Sequence, residues 1–471
     1  MFMRSADVHR LAGMSGPCQF VPAFRLGGIA MGKICAAALL CVACCLASMS
    51  SGYAATGLPI KLFLSTDGLA LSSFPHRYAL RQTVRVIRTE GSQQVAWTAI
   101  SNQPWLTVTA SGVTGGKLKV EASPKELAKN QFYLAQVTVS TSGGDFTDTE
   151  TLNVGLWVGS SDPTTVTLST NALTIAANPV EPFAYVANGG SSISEYNVYS
   201  GALVTTFQNV ATNVGAMEVS SDGNTLFAAD MSNNNIVALN ASTGAQLGSY
   251  ASGSTVDSWF NMAYARPYGQ PAIYAMGGSI IAYPSGKVLA GGIPNNYYIA
   301  VTPDGRKLFA VDIGLSPSIL AAFSFRARNG TFTLAPVAST TIQVANCQDL
   351  AVSHDGTRVY PACGSAGEFD VYNDKTLAQV QTLPGNAYPA NIEVDVNDDA
   401  VGGLDASYLP DDVYVYNPQG FLVGEVPTLS PNASNTQQAA AMRVSGDGTR
   451  VVSVTYPIPD YPQTLMLRNM P

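Results

Sequence analysis

The stretch Val219-Ser-Ser-Asp222-Gly223-Asn-Thr-Leu-Phe-Ala-Ala-Asp230 reads as strand, tight turn, strand. It recurs as Val301-Thr-Pro-Asp304-Gly305-Arg-Lys-Leu-Phe-Ala-Val-Asp312 and as Val352-Ser-His-Asp355-Gly356-Thr-Arg-Val-Tyr-Pro-Ala-Cys363. A fourth copy is Val444-Ser-Gly-Asp447-Gly448-Thr-Arg-Val-Val-Ser-Val-Thr455. An Asp-Gly pair between apolar runs supplies the positive φ angles of a tight hairpin. Four copies of one hairpin mean a repeat architecture.

The spacing of the turns gives the period. Asp222 and Asp304 are 82 residues apart, Asp304 and Asp355 are 51, and Asp355 and Asp447 are 92. These are two repeats, one repeat with an insertion around residues 326–335, and two repeats. A unit of about 40–50 residues carrying four strands predicts a β-propeller. Counting from Leu173 gives seven blades. The third carries Pro267-Tyr-Gly269 in place of Asp-Gly, and the sixth a degenerate Asn397-Asp-Asp399. The seventh lacks a clear fourth strand, whereas Thr165-Val-Thr-Leu168 precedes the first blade as a spare one. Residues 165–168 are therefore expected to close the propeller by pairing with the last blade, which removes exposed edges.

Upstream, residues 57–158 carry about seven short apolar or alternating runs separated by Gly/Ser turns, the pattern of a β-sandwich of roughly 100 residues. The Ser160-Ser-Asp-Pro163 stretch marks the boundary, so the propeller is placed at 164–471. The whole is expected to be all-β, an Ig-like β-sandwich followed by a seven-bladed β-propeller. The one short helical candidate is Pro124–Lys129.

Residues 1–55 read as a leader that is removed. Met31-Gly-Lys33, the apolar run Ile34–Leu46 and small residues ending at Ala55 follow the order of a secretory signal peptide. Met31 then marks the true start. A lipoprotein is the alternative, since Cys41, Cys44 and Cys45 lie in the run, although none has a good lead-in. The apolar run is too short for a membrane span. An exported protein, periplasmic or secreted to the cell envelope, is expected. Five of the seven cysteines fall in the leader, and Cys347 and Cys363 flank the Asp355-Gly356 turn at nearly mirrored distances. They read either as a disulfide or as two small buried hydrophobes.

Charged residues make up only 12% of the 471-residue chain and hydrophobic ones 46%, with 43 Gly and 27 Pro, a composition of short strands and many turns. Four of the 24 basic and one of the 32 acidic residues lie in the leader, leaving 20 and 31 and a mature net charge of −11. No Lys/Arg cluster interrupts this, which excludes a nucleic-acid partner.

The segment Trp97-Thr-Ala-Ile-Ser-Asn-Gln-Pro104-Trp105-Leu106-Thr-Val108, with Gly112 and Leu118-Lys-Val120 after it, resembles the BACON family of Ig-like modules over about 90 residues. The resemblance implies a carbohydrate- or mucin-binding module or a spacer. Trp97 and Trp105 read either as stacking platforms for sugars or as core aromatics. The strands Ala184-Tyr-Val-Ala-Asn188, Leu226-Phe-Ala-Ala-Asp230 and Leu308-Phe-Ala-Val-Asp312, with the turns ahead of them, resemble the YVTN-type repeat of surface-layer-like and lactonase-like seven-bladed propellers. That resemblance covers about 300 residues and implies the fold more than a function.

Chemistry is sparse. The three histidines are scattered (His9, His76, His354), so a His-based metal cluster is not expected. The mature chain has no nucleophile elbow, CxxC, HExxH or Walker loop. Each second strand ends on a short residue: Asn188, Asp230, Gly277, Asp312, Cys363, Asp405 and Thr455. Asp230, Asp312 and Asp405 are candidate Ca²⁺ ligands if they converge, or caps of their own turns. No other cofactor is expected. The loops into the first strands are rich in Asn, Gln and Tyr and hold the candidate ligand-binding residues Trp259, Asn295, Tyr298, Asn346 and Asn391, groups that suit sugars or peptides. The expectation is a non-enzymatic binding protein with a glycan or protein partner. A lactonase-like propeller hydrolase is the alternative, weakened because Arg266 and Arg443 belong to no motif.

Overall fold

The computed structural model describes residues 57–74, 77–141, 143–144, 146–313, 316–364, 367–385, 387–405, 411–427, 437–455 and 463–471. The leader and His76 lie outside the described residues. Those described are all-β, interrupted by three single-turn 3-10 segments, one of which, Pro124–Glu126, takes up the short helical candidate.

The four quoted hairpins share one construction. In each, the glycine amide donates to the carbonyl three residues back, Gly223 to Ser220 at 2.8 Å and Gly305 to Thr302 at 2.7 Å. The glycines take φ of 66–76°, the left-handed region that costs a side chain most. The aspartates do not share that conformation. Asp355 instead accepts Ser353 Oγ at 2.7 Å and the Thr357 amide at 2.9 Å, and Asp304 accepts Thr302 Oγ1 at 2.6 Å. The turn is therefore longer than a two-residue hairpin: Ser220 N–H closes it onto Thr225 C=O at 2.9 Å. The degenerate sixth copy keeps the frame, with Asp395 in the Ser/Thr place accepting the amides of Asn397 and Asp399 at 2.8 Å and Asp398 at φ 65° in the glycine place.

Seven four-stranded antiparallel sheets carry these turns among the described residues. Their first strands are Thr174–Ala177, Val214–Val219, Met262–Ala265, Tyr297–Val301, Cys347–Val352, Tyr388–Val394 and Gln437–Val444. Each first strand lies beside that of the next sheet, and the seventh lies beside the first. In the seventh sheet Thr464–Asn469 pairs with Val166–Ser169, Val166 opposite Leu467. Arg450, fully enclosed, fixes this junction by donating to the carbonyls of Val198 at 3.0 Å and of Thr164 and Leu467 at 3.1 Å. The insertion at residues 326–335 lengthens the outer hairpin of the fourth sheet, Ser318–Arg328 against Thr331–Ile342.

Third strands of four sheets end on, or one residue before, an Asn (197, 240, 373, 417) whose Oδ1 accepts two amides of the following turn, such as Ser242 at 3.1 Å and Thr243 at 2.9 Å. Past it, six outer pairings slip by one residue at the same place. Such bulges twist an edge strand away from further pairing.

Residues 58–158 form two further sheets. One contains Leu62–Leu64, Arg81–Arg88, Lys117–Ala122 and Leu106–Val108; the other contains Gly68–Ser72, Thr149–Val158, Gln131–Thr141, Ala96–Ser101 and Ser111–Val113. They enclose one apolar core. Gly68–Ser72 runs parallel to Asn153–Trp157, a pairing that short-range pattern does not disclose. Trp97 and Trp105 both lie in this core, Trp97 over Gly112, so the core reading of the two indoles holds and they offer no sugar platform.

The described residues fall within one compact unit. The two N-terminal sheets sit on the turn side of the seven. Asn153 Nδ2 donates to Asp222 C=O at 2.8 Å, Arg306 to Thr89 C=O at 2.6 Å, and Ser221 Oγ to Asp67. Trp157 stacks on Tyr199 with centroids 4.9 Å apart. Gly155 is required here, because a Cβ at that position would lie 1.9 Å from Val180 C=O. At the centre of the contact Arg266 bridges Asp67 at 3.0 Å and Glu150 at 2.7 Å, all three nearly enclosed.

Candidate functional site

Two hollows gather polar side chains. The first lies at the loop end of the third to sixth sheets, opposite the Asp-Gly turns, and has a volume of about 400 Å³. Asp257, Trp259, Asn296, Asn346, Gln348 and Tyr388 line it, with Ile313 and Cys347 at its base. Trp259 is 55% exposed, and its amide donates to Asp257 Oδ1 at 2.9 Å, which fixes the loop that presents the indole. Asn296 and Asn346 stand at φ 60° and 57°, a conformation Asn tolerates better than other side chains. Cys347 and Cys363 are joined by a disulfide across the first two strands of the fifth sheet, directly after Asn346.

Among the candidate ligand-binding residues, Trp259 and Asn346 come together here. Asn295 does not line the hollow; its side chain packs under Gly277, and its neighbour Asn296 takes the exposed place. Two assignments are corrected. Asn391 is 0% exposed, donates to Gln438 C=O at 3.0 Å and accepts the Ala441 amide at 2.8 Å. Strand alternation turns it between the sixth and seventh sheets, where both polar atoms are used. Tyr298, 6% exposed, packs in the core between the fourth and fifth sheets and borders the inner cavity, not the loop face.

The Ca²⁺ assignment is corrected as well. No three His, Cys, Asp or Glu side chains among the described residues group closely enough to hold a metal ion. Asp230 instead accepts the amides of Thr212 and Ser232 at 3.0 Å, that of Asn213 at 3.4 Å and Asn233 Nδ2 at 2.8 Å. Burial opposes its charge, but these four bonds outweigh it and hold the carboxyl below its ordinary range. Asp312 bonds the Tyr297 hydroxyl, its opposite number across the strand pair. Asp405 lies opposite Tyr388 in the sixth sheet. Each sits in a different sheet.

The second hollow is a half-open cavity of about 380 Å³ between the first strands. Phe63–Thr66 of the N-terminal sheets covers its turn-side end, and a neighbouring cleft with Glu218, Arg443 and His354 in common runs on beneath Gly68. Its wall carries Glu218, Asp349, Glu393 and Arg443. Arg443 pairs with Glu393 at 3.0 Å. Asp349 accepts the amides of Leu350 at 2.9 Å and Ile392 at 3.1 Å.

Burial, with the Glu393 charge added and Arg443 opposing, pushes Glu218 and Asp349 up to about 7. Glu393 is raised by burial against Arg443. Burial alone would lower Arg443, but Glu393, Asp349 and Glu218 together hold it above its ordinary value. These residues escape a motif search because no two are close in sequence. Aligned on the turn frame, however, the position just before the strand-ending valine is Glu218, Ala300, Ala351, Glu393 and Arg443 in five of the copies. That position faces the cavity in every one.

Comparison with protein-family models and with curated protein sequences gave no match. Among the described residues no helix is long and apolar enough to cross a membrane.

Proposed function

We propose that the seven sheets are the blades of a β-propeller, closed by the strand at 166–169, with an Ig-like sandwich docked on its turn side. We further propose that the protein is an exported, non-enzymatic binding protein whose loop face takes a neutral glycan. The observation that carries this is the half-exposed Trp259 beside Asn296, Asn346, Gln348 and Tyr388 in one hollow. An indole face stacks on the apolar side of a pyranose ring, while amides and a phenol bond its hydroxyls. With the loop hollow carrying recognition, the docked sandwich acts as a cover for the propeller, since its two tryptophans are enclosed. The test is a calorimetric screen of neutral oligosaccharides against the full chain and Trp259→Ala. Binding that Trp259→Ala abolishes supports the reading; no heat with any saccharide, or equal heat with the variant, overturns it. Turnover of a bound saccharide or of a lactone would instead favour the hydrolase alternative.

A further inference from the structure

The inner cavity is unevenly furnished, and the imbalance defines a ligand. Its carboxylates are Glu218, Asp349 and Glu393, and its guanidinium is Arg443, already paired with Glu393. Arg266 also borders it but is bound to Asp67 and Glu150. The wall thus sets three acids, Glu218 and Asp349 among them, against the single guanidinium of Arg443, while His354, also on the wall, lies 3.6 Å from Asp398. A separate observation points the same way. Asn261 reaches this cavity with its Oδ1 enclosed and without a hydrogen-bond partner, while its Nδ2 is directed to Ile299 C=O at 3.5 Å. An enclosed acceptor left bare costs free energy that a donor in the cavity would recover. The remaining wall is apolar and aromatic, with Met262, Tyr264, Tyr298 and Ile392. Aromatic faces attract cations, and methylene groups pack on such a surface.

We propose that the inner cavity is a second binding site, for a small organic ammonium ion, its N–H groups directed at Glu218, Asp349 and Asn261 Oδ1. A primary ammonium offers three donors and one positive charge, which matches the surplus of acceptors. A bare divalent ion does not match, because no three His, Cys, Asp or Glu side chains among the described residues group closely enough to hold one. The site is separate from the loop-face hollow and does not rest on the glycan reading.

The probe is n-butylammonium chloride, with n-butanol and calcium chloride as controls, read as thermal shift and by titration calorimetry on the full chain at pH 8. The ammonium is expected to raise the melting temperature with dose, as a ligand of the folded state must, and the controls to leave it unchanged. Glu218→Gln keeps the shape of the side chain and is expected to weaken binding at least tenfold. Asn261→Leu, which removes the bare acceptor, weakens it several-fold, and Trp259→Ala leaves it unchanged. No shift with the ammonium overturns the proposal. So does an equal shift with n-butanol, a response to calcium alone, or undiminished binding in both cavity variants. Should Glu218→Gln fail to fold, by its near-ultraviolet circular dichroism, Asn261→Leu decides.

Discussion

Arg266→Met removes the cation that Asp67 and Glu150 share at the contact between the N-terminal sheets and the seven-sheet body. Arg266 spans Asp67 at 3.0 Å and Glu150 at 2.7 Å, with about a tenth of each side chain exposed. Its guanidinium also lies over the Phe63 ring at 5.5 Å. Burial raises both carboxyls, and Arg266 is the force that opposes it. Without the arginine, two enclosed carboxylates face each other with no counter-charge. Breaking a buried pair from one side costs about 3–5 kcal/mol, and in a domain this large each kcal/mol moves Tm by about 2–4 °C. Scanning calorimetry at pH 7.5 should therefore show a fall of roughly 6–20 °C. The loss should shrink as pH falls, because protonating Asp67 and Glu150 removes the charges left unpaired. The triple variant Arg266→Met, Asp67→Asn, Glu150→Gln should recover most of it. A Met variant that melts with the wild type at pH 7.5 would refute the view that this contact is held by charge.

Three further outcomes are expected. Glu195 is 2% exposed with its Oε1 unbonded, and burial, then the charge of Glu181, pushes it up to about 7 from 4.5. An acid whose folded pKa is raised stabilises the fold fully below its unfolded value and loses that contribution as pH rises, here from about 4.5 to 7. Glu195→Gln should therefore flatten the fall in Tm over that window and exceed the wild type at pH 8, by up to about 3 kcal/mol at 1.36 kcal/mol per pKa unit; an unchanged profile contradicts the assignment. Thr167→Pro with Ser169→Pro should unpair the closing strand and cost about 3–5 kcal/mol for its ladder bonds, with early proteolysis at 464–469; full resistance would place closure elsewhere. Reducing Cys347–Cys363, which spans 16 residues, should cost about 3 kcal/mol and loosen Asn346, so that a Tm indifferent to reductant speaks against the bond.

Local rules carried much of the chain. The Asp-Gly frame marks a strand exchange wherever it occurs, because its glycine needs a positive φ and its aspartate collects the turn amides. Period and strand count follow from four such frames, and so does the spare strand at 165–168. Even the degenerate sixth turn obeys the frame once Asp398 is seen to stand at φ 65°. Pattern alone left open which side of a strand a polar residue faces. Asn391 and Tyr298 belong to loop-rich stretches, yet both are turned inward, Asn391 just past a slip of register. Asp230, Asp312 and Asp405 end equivalent strands, yet they lie in three different sheets and Asp230 spends its carboxylate on the amides of its own loop.

Glu218 and Arg443 stand 225 residues apart in the chain, and nothing local to either announces the other. Only the return of the seventh first strand beside the first brings both to the wall of one cavity. The sequence by itself determined the repeat, its turns and its strands, since those depend on backbone conformation within a dozen residues. The tertiary structure decided which charges share a cavity, because side-by-side packing turns one position of the repeat into a wall.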